Sequence, residues 1–520
     1  MVKRHGEVVC FWALAFLHLT PIWAFRYLPT QDGPSHLANA LIVKEIGGSA
    51  AGFEDTFELR LEPVPNWTSH ILLAGLMHLV PPLIAEKLLA SLYILGFAGA
   101  FRYFLGAFGD RCRALSWLGL LFVYNRCFWM GFHNYCLSLI LVWLIVGYCA
   151  RRRGEGEGAS KWPMAVVLTF LFPLAYFTHL VGFFLSALGA FGATILMRPR
   201  SLLGPVLVGL AAVPSCFLTI DYFERTGFFE QGAARRLTRE SRALLDGRGL
   251  ERSVVEQLTA VDKELFEHHA GRTVYVLLFV VVLFSTYGLF ALGETIDRLG
   301  WEAPMEATEV VDSPPTEPRA KPPAGWLFPF CFGLSALAFY LLVANDLGSA
   351  DGVLPHGGYL KTRLALLPPL IWLACLREPI FTPARLILRA LTALLLCVNL
   401  FLVTRTVDDG NRELASYVAG IDAVGRGHRI LAIQDNAGGR LADPIRHAAD
   451  YYCLGSDNLN LDNYEAVTPH FPVKYRPGMT RGNATNADIL IFWRTRMPPG
   501  RAGWEEIFAE GPLRIHRRQD

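Results

Sequence analysis

The chain has 520 residues, of which 52% are hydrophobic and only 18% charged, and its mean hydropathy is +0.33. That balance excludes a soluble protein and makes the chain a polytopic membrane protein. The 48 basic and 46 acidic residues leave a net charge of +2, and no basic patch stands out, so no nucleic-acid partner is expected. Ten cysteines, most of them inside apolar runs and none in a CxxC or paired Cys/His spacing, exclude a disulfide framework and leave structural zinc without a motif.

Taken in chain order, the first element is the charge-free run from Val8 to Phe25, flanked by Lys3, Arg4 and Arg26. It is too long for a signal-peptide core and lacks a small-residue cleavage site, so it reads as an uncleaved first transmembrane helix. Loop 27–66 follows. The apolar stretch 68–80 is too short to cross and is stopped by Pro81-Pro82, so it is expected to lie in the interface. Further spans are expected at 84–106, 114–130, 133–150, 162–179, 181–197, 202–220, 273–293, 324–345, 360–376 and 386–405, about 11 in all. Glu86, Lys87 and Arg102 fall near the ends of 84–106, where the basic side chains are expected to snorkel to the interface.

With 11 crossings, Lys3/Arg4, Arg111/Arg113, Arg151 to Arg153 with Lys161, Arg198/Arg200, Arg298/Arg319/Lys321 and Arg377/Arg385 all fall on one side. The positive-inside rule makes that side cytoplasmic. The expectation is a plasma (inner) membrane protein with its N-terminus in the cytoplasm. Loops 27–66 and 221–271 and the tail 406–520 then lie outside, and the Pro- and Glu-rich stretch 294–323 is a cytoplasmic linker. The tail carries a helical pattern over 411–424 and short strand-like runs at 429–433, 488–492 and 513–516, which fits a small C-terminal α/β domain. The domains are therefore 1–405, the transmembrane domain, and 406–520.

Polar residues collect at the outer boundary of several separate spans. Asp32 and His36 follow the first helix; His133 and Asn134 sit at the turn 129–134; His179 ends 162–179; Asp221 and Glu224 open the long loop; His356, Lys361 and Arg363 close another. Charged groups at that depth cost several kcal/mol unless hydrated or paired, which makes a shared outer cavity the economical explanation. Each also has a plainer role: Asp32-Gly33-Pro34 is turn chemistry, a histidine at a helix end can hydrogen-bond a neighbouring carbonyl, and Lys361 and Arg363 can anchor an interface. The tail histidines His428, His447, His470 and His516 show no metal-ligand spacing and are expected on the surface.

An early outward helix, an outer loop opening with Asp32, segments lying along the interface at about 36–46 and 68–80, many further helices and an outer C-terminal domain together resemble the GT-C glycosyltransferases. Those integral membrane enzymes take sugars from polyprenyl-phosphate carriers. Asp32 matches the acidic residue expected early in their first outer loop, with Gly33 where many members carry a second acid. Asp32 followed by His36 looks like a variant of a bacterial branch. Arg363 opens a late helix where such enzymes hold the lipid phosphate.

The resemblance implies an inverting glycosyltransferase. Its donor is a lipid-linked sugar, its setting is membrane lipid, and its acceptor is a glycan, lipid or protein. Chemically, the anionic leaving group needs cations at headgroup depth, supplied by Lys361 and Arg363. The acceptor hydroxyl needs a base, for which Asp32 is the choice. His36, four residues on, is expected to face the same side and orient it. No cofactor beyond the lipid-linked donor is called for, and a divalent-metal requirement is not legible. A transporter or flippase, or a non-catalytic membrane assembly protein, is the alternative; the former should carry ionisable groups near the bilayer midplane, where these spans have almost none.

Overall fold

A computed structural model describes residues 2–46, 53–154, 161–197, 202–227, 280–290, 292–293, 326–342, 359–435, 442–497 and 503–519. His356, residues 228–271 of the long loop and the linker 294–323 lie outside them. The described chain is mostly helical, and five helices are long and apolar enough to cross a membrane: His5–Ala24, Pro82–Phe108, His133–Arg152, Leu203–Arg225 and Thr382–Val424. Trp162–Thr178, Leu180–Leu196, Val280–Phe290 and Leu327–Leu342 are shorter apolar helices. At 1.5 Å per residue, a 17-residue helix such as Trp162–Thr178 spans about 25 Å, short of the roughly 30 Å hydrocarbon core.

Two expected spans are not continuous helices, so the count of 11 is not confirmed among the described residues. Residues 114–130 form a 3₁₀ stretch, Ala114–Phe122, and a single turn, Arg126–Trp129. Asn125 makes the break, because its amide competes with the backbone ladder: Nδ2 donates to the Phe122 carbonyl at 2.8 Å and to the Tyr93 hydroxyl at 3.0 Å, while Oδ1 caps the Phe128 N–H. Residues 360–376 divide into Leu360–Ala365, Leu367–Trp372 and a final 3₁₀ turn. Pro368 and Pro369 have no N–H to continue the first piece. Almost all of 114–130 is buried in protein, the condition under which irregular backbone is tolerated at membrane depth. Thr68–Leu76 is a 9-residue helix, about 14 Å long and too short to cross.

The ends of Pro82–Phe108 also differ from expectation. Glu86, Lys87 and Arg102 are 1%, 7% and 8% exposed, so they are buried in protein rather than extended to an interface. Lys87 Nζ donates to the Phe25 carbonyl at 2.5 Å. Arg102 holds the Glu7 carboxylate bidentately at 2.8 and 2.6 Å, with Ser116 Oγ at 3.0 Å.

In the C-terminal region, strands β2 (Arg429–Gln434), β3 (Leu459–Asn460), β5 (Ile489–Trp493), β6 (Trp504–Glu510) and β7 (Leu513–Arg518) form a five-stranded sheet in the order β3-β2-β5-β7-β6. β2 is parallel to β3 and β5, and β7 is antiparallel to β5 and β6. The run Ile-Leu-Ile-Phe-Trp in β5 is buried at every position, as a central strand covered on both faces must be. Three of these strands fall where the apolar runs at 429, 488 and 513 place them. The boundary expected at 405 falls inside an unbroken helix, Thr382–Tyr417.

Loop 27–66 is joined to the C-terminal region. Its strand β1 (Phe57–Leu59) pairs antiparallel with β4 (Val473–Tyr475). Helix Gly33–Glu45 is clasped by a reciprocal amide pair, Asn463 Nδ2 to Asn39 Oδ1 at 2.9 Å and Asn39 Nδ2 to Asn463 Oδ1 at 3.2 Å. This docking sets the candidate site between the apolar helices and the C-terminal region.

Candidate functional site

Asp32 is placed by backbone geometry. The N–H groups of Gln31 and Asp32 donate to the carbonyls of Trp129 and Met130 at 2.9 and 3.2 Å, so loop 27–66 lies directly on the turn 129–134. Gly131 makes this approach feasible: its φ is +75°, and a Cβ there would stand 2.7 Å from Gly33 N and 2.8 Å from Asp32 N, closer than any real carbon approaches backbone. Gly33 is equally confined, since a Cβ on it would meet Thr30 Oγ1 at 2.1 Å and Glu86 Oε1 at 2.5 Å. A second acid after Asp32 has no room there; the buried Glu86 carboxylate stands in that space.

Asp32, His36, Asn134, His179 and Arg363 line one cavity of about 180 Å³. Aromatic side chains wall it: Phe132 and Tyr135 from the turn and the helix after it, Tyr359 before helix Leu360–Ala365, and Tyr464 and Phe471 from the C-terminal region. Arg363 is seated by its aromatic neighbours, with its guanidinium carbon 4.7 Å from the centre of the Phe132 ring, and its carbonyl accepts from the Tyr135 hydroxyl.

The other expected residues among the described ones are not in this lining. Lys361 is half-buried on the same short helix. Asp221 is paired with Arg225 one turn on, Nε to Oδ2 at 2.9 Å, and Glu224 is exposed beside it. His133 is fully buried next to the cavity, its ring centre 5.4 Å from that of His36.

Side-chain geometry corrects several assigned partners. His36 does not orient Asp32 with its ring. Its backbone N–H donates to the Asp32 carbonyl at 3.0 Å, while its Nδ1 lies 2.9 Å from Glu465 Oε1. The side-chain neighbours of Asp32 include Gln31, whose Nε2 donates to Oδ1 at 3.0 Å, His447, whose Nε2 is 3.6 Å from Oδ1, and Tyr464. Both ends of the Asn134 amide are committed within the protein, Oδ1 to Ser69 N at 2.8 Å and Nδ2 to the Asn66 carbonyl at 3.0 Å; it ties the turn to helix Thr68–Leu76. His179 caps helix Leu180–Leu196, Nδ1 accepting from Val181 N at 3.2 Å.

Two of the C-terminal histidines expected on the surface are at the site instead: His447 reaches Asp32 and His470 lines the cavity. Burial lowers the pKa of His447 despite the opposing carboxylate of Asp32. Burial also raises that of Tyr464, with the charges of Asp32 and Glu465 adding to it.

Behind His36 is a group that the sequence reading missed. Glu465 is fully buried between two histidines, with Oε1 2.9 Å from His36 Nδ1 and Oε2 2.7 Å from His70 Nε2. Burial opposes its charge, yet the two imidazoles outweigh this and hold the carboxyl far below the usual carboxylate range. The same carboxylate, with Asp32 and Glu86, raises the pKa of His36 against the burial that would lower it. Asn463 presents Glu465 by capping the turn Tyr464–Val467, its Oδ1 accepting from the N–H groups of residues 465 and 466. His70 and Glu465 are 395 positions apart, so no local spacing links them.

Comparison with family models, with curated proteins and with solved structures returned no match. The chemistry of the site therefore rests on its own geometry.

Proposed function

We propose that this protein transfers a sugar from a polyprenyl-phosphate donor to an acceptor hydroxyl at the outer face of the membrane, with Asp32 as the general base. The observation that carries this reading is one cavity, at the junction of the apolar helices and the C-terminal region, lined by both a carboxylate, Asp32, and a guanidinium, Arg363. Transfer from a lipid phosphate needs these two groups together. The acceptor oxygen attacks the anomeric carbon as Asp32 takes its proton. The bond from that carbon to the phosphate oxygen breaks, and the phosphate leaves with its charge held by Arg363 in a bidentate fork. No general acid is required, and one displacement inverts the anomeric centre. The aromatic walls suit a sugar ring and the first prenyl units, both of which present apolar faces.

The test is transfer in vesicles containing the purified full chain and polyprenyl-phosphate-linked hexoses. Asp32→Asn keeps the turn's shape and removes the base, so turnover is expected to fall by about 10²–10⁴. Arg363→Ala is expected to raise the KM for the donor more than it lowers kcat, because the phosphate is already charged in the ground state. Full turnover by Asp32→Asn at normal protein level would sink the mechanism, as would the lack of any transfer by the unaltered chain.

A further inference from the structure

We infer that His36, His70 and Glu465 bind a first-row divalent transition-metal ion, with Zn²⁺ the best match. One donor atom from each of the three residues lies within 4.8 Å of the other two, and all three residues are buried, at 3%, 0% and 0% exposure.

The surroundings of His70 set its tautomer. Its Nδ1 is 3.2 Å from the Asn66 carbonyl, which can only accept. Nδ1 therefore carries the hydrogen, and in a neutral ring Nε2 presents a lone pair. That lone pair faces Glu465 Oε2 at 2.7 Å, so the contact needs a positive centre there, which either a second proton on His70 or a metal ion supplies. A histidine donating its second nitrogen to a backbone carbonyl is the arrangement that orients metal-ligating imidazoles. Asn66 is held for this at φ +66°, an uncommon backbone state for a non-glycine residue. Its carbonyl is fixed by Asn134 Nδ2 at 3.0 Å.

A second observation comes from the other side of the carboxylate. His36 Nδ1 and Glu465 Oε1 approach to 2.9 Å, yet neither atom has a hydrogen-bond partner of acceptable geometry, and both are buried; His133 Nε2, beside them, is likewise buried without a partner. Buried polar atoms are nearly always satisfied, and an unmet cluster of them calls for an ion or water.

Two imidazoles and one carboxylate are the donor set of His₂Glu zinc sites. Bonds of about 2.0–2.1 Å in a tetrahedral site separate ligands by about 3.3 Å, so each of these two histidine–carboxylate pairs opens by roughly half an ångström on binding. The ligands come from helix Gly33–Glu45, helix Thr68–Leu76 and the turn Tyr464–Val467. The ion thus fastens the C-terminal region to the loop that carries Asp32. The inference does not depend on sugar transfer, since its readout is metal content.

The experiment measures metal by mass spectrometry in the full chain purified without chelator, then strips it and titrates Zn²⁺ while following the apparent Tm. The expected results are close to one equivalent retained per chain and a Zn²⁺-dependent rise in Tm. Co²⁺ substitution should give visible d–d absorption. His70→Ala and Glu465→Gln should each lose affinity by at least about 100-fold, while His447→Ala, next to Asp32 but outside the cluster, should keep the ion. Because the decisive arm uses the unaltered chain, misfolding of a variant cannot mask the answer. No retained metal together with no response of that chain to Zn²⁺ overturns the proposal and leaves the cluster as a carboxylate bridged by protons.

Discussion

Gly131→Ala tests whether the turn at 129–134 really carries Asp32. The substitution adds one methyl group and meets two separate penalties. The first is conformational: at φ +75° an L-residue is in the left-handed region, at a cost of about 1–2 kcal/mol. The second is steric, because the new Cβ would lie 2.7 Å from Gly33 N and 2.8 Å from Asp32 N. Both are backbone atoms that no rotamer change can move away, and overpacking of this kind costs typically a further 1–3 kcal/mol. Gly455 separates the two terms. Its φ is +76° and nothing lies within 4 Å of its Cβ position, so Gly455→Ala carries the conformational cost alone. Thermal unfolding of both variants in detergent micelles is expected to show Gly131→Ala less stable than Gly455→Ala by about 1–3 kcal/mol. A carboxylate displaced with its loop should also lower the proposed sugar transfer in the surviving protein. If the two variants unfold together, the close contact between the turn and the Asp32 loop is not present in the protein and the site as described falls with it.

Two further outcomes follow from buried charges away from the cavity. Asp450 is buried, accepts from Asn460 Nδ2 at 2.8 Å, and has its pKa pushed up to about 7 by burial, with Glu465 and Asp462 as like-charged neighbours. A carboxyl raised in the folded state contributes stability that is complete below its ordinary value of 3.8 and is lost as pH rises through about 7. Asp450→Asn should therefore flatten the fall in Tm between pH 5 and pH 8 and be the more stable protein at pH 8, by at most roughly 4 kcal/mol; parallel pH curves would refute this. At the other end of the molecule, Glu7→Ala should cost about 3–5 kcal/mol by leaving Arg102 buried and unpaired. The double variant Glu7→Ala, Arg102→Met should recover much of that loss, and additive losses in the cycle would refute the pairing.

Much of the architecture was legible in the sequence because it depends on composition and period. Apolar runs such as 133–150 and 386–405 appear as long helices because hydrophobic length is a local property. The strands at 429, 489 and 513 follow from short apolar runs rich in branched residues. Local signals also marked Asp32-Gly33-Pro34 and the turn at His133-Asn134 as places where polarity collects.

Tertiary structure decided what those signals meet. Asn125 and the Pro368-Pro369 pair turned two apolar runs into broken segments, because side-chain hydrogen bonding and missing donors override hydropathy once surrounding protein can absorb the irregular backbone. Glu7 and Arg102 met as a buried pair, a contact that a window-based reading of either segment cannot contain. Most of all, the neighbours of Asp32 and His36 come from far along the chain. His447, Tyr464 and Glu465 arrive through the pairing of β1 with β4 and the clasp between Asn39 and Asn463. Hydropathy records which residues leave water, whereas contacts between residues 395 positions apart are fixed only when the chain closes on itself and each buried polar atom must find its partner.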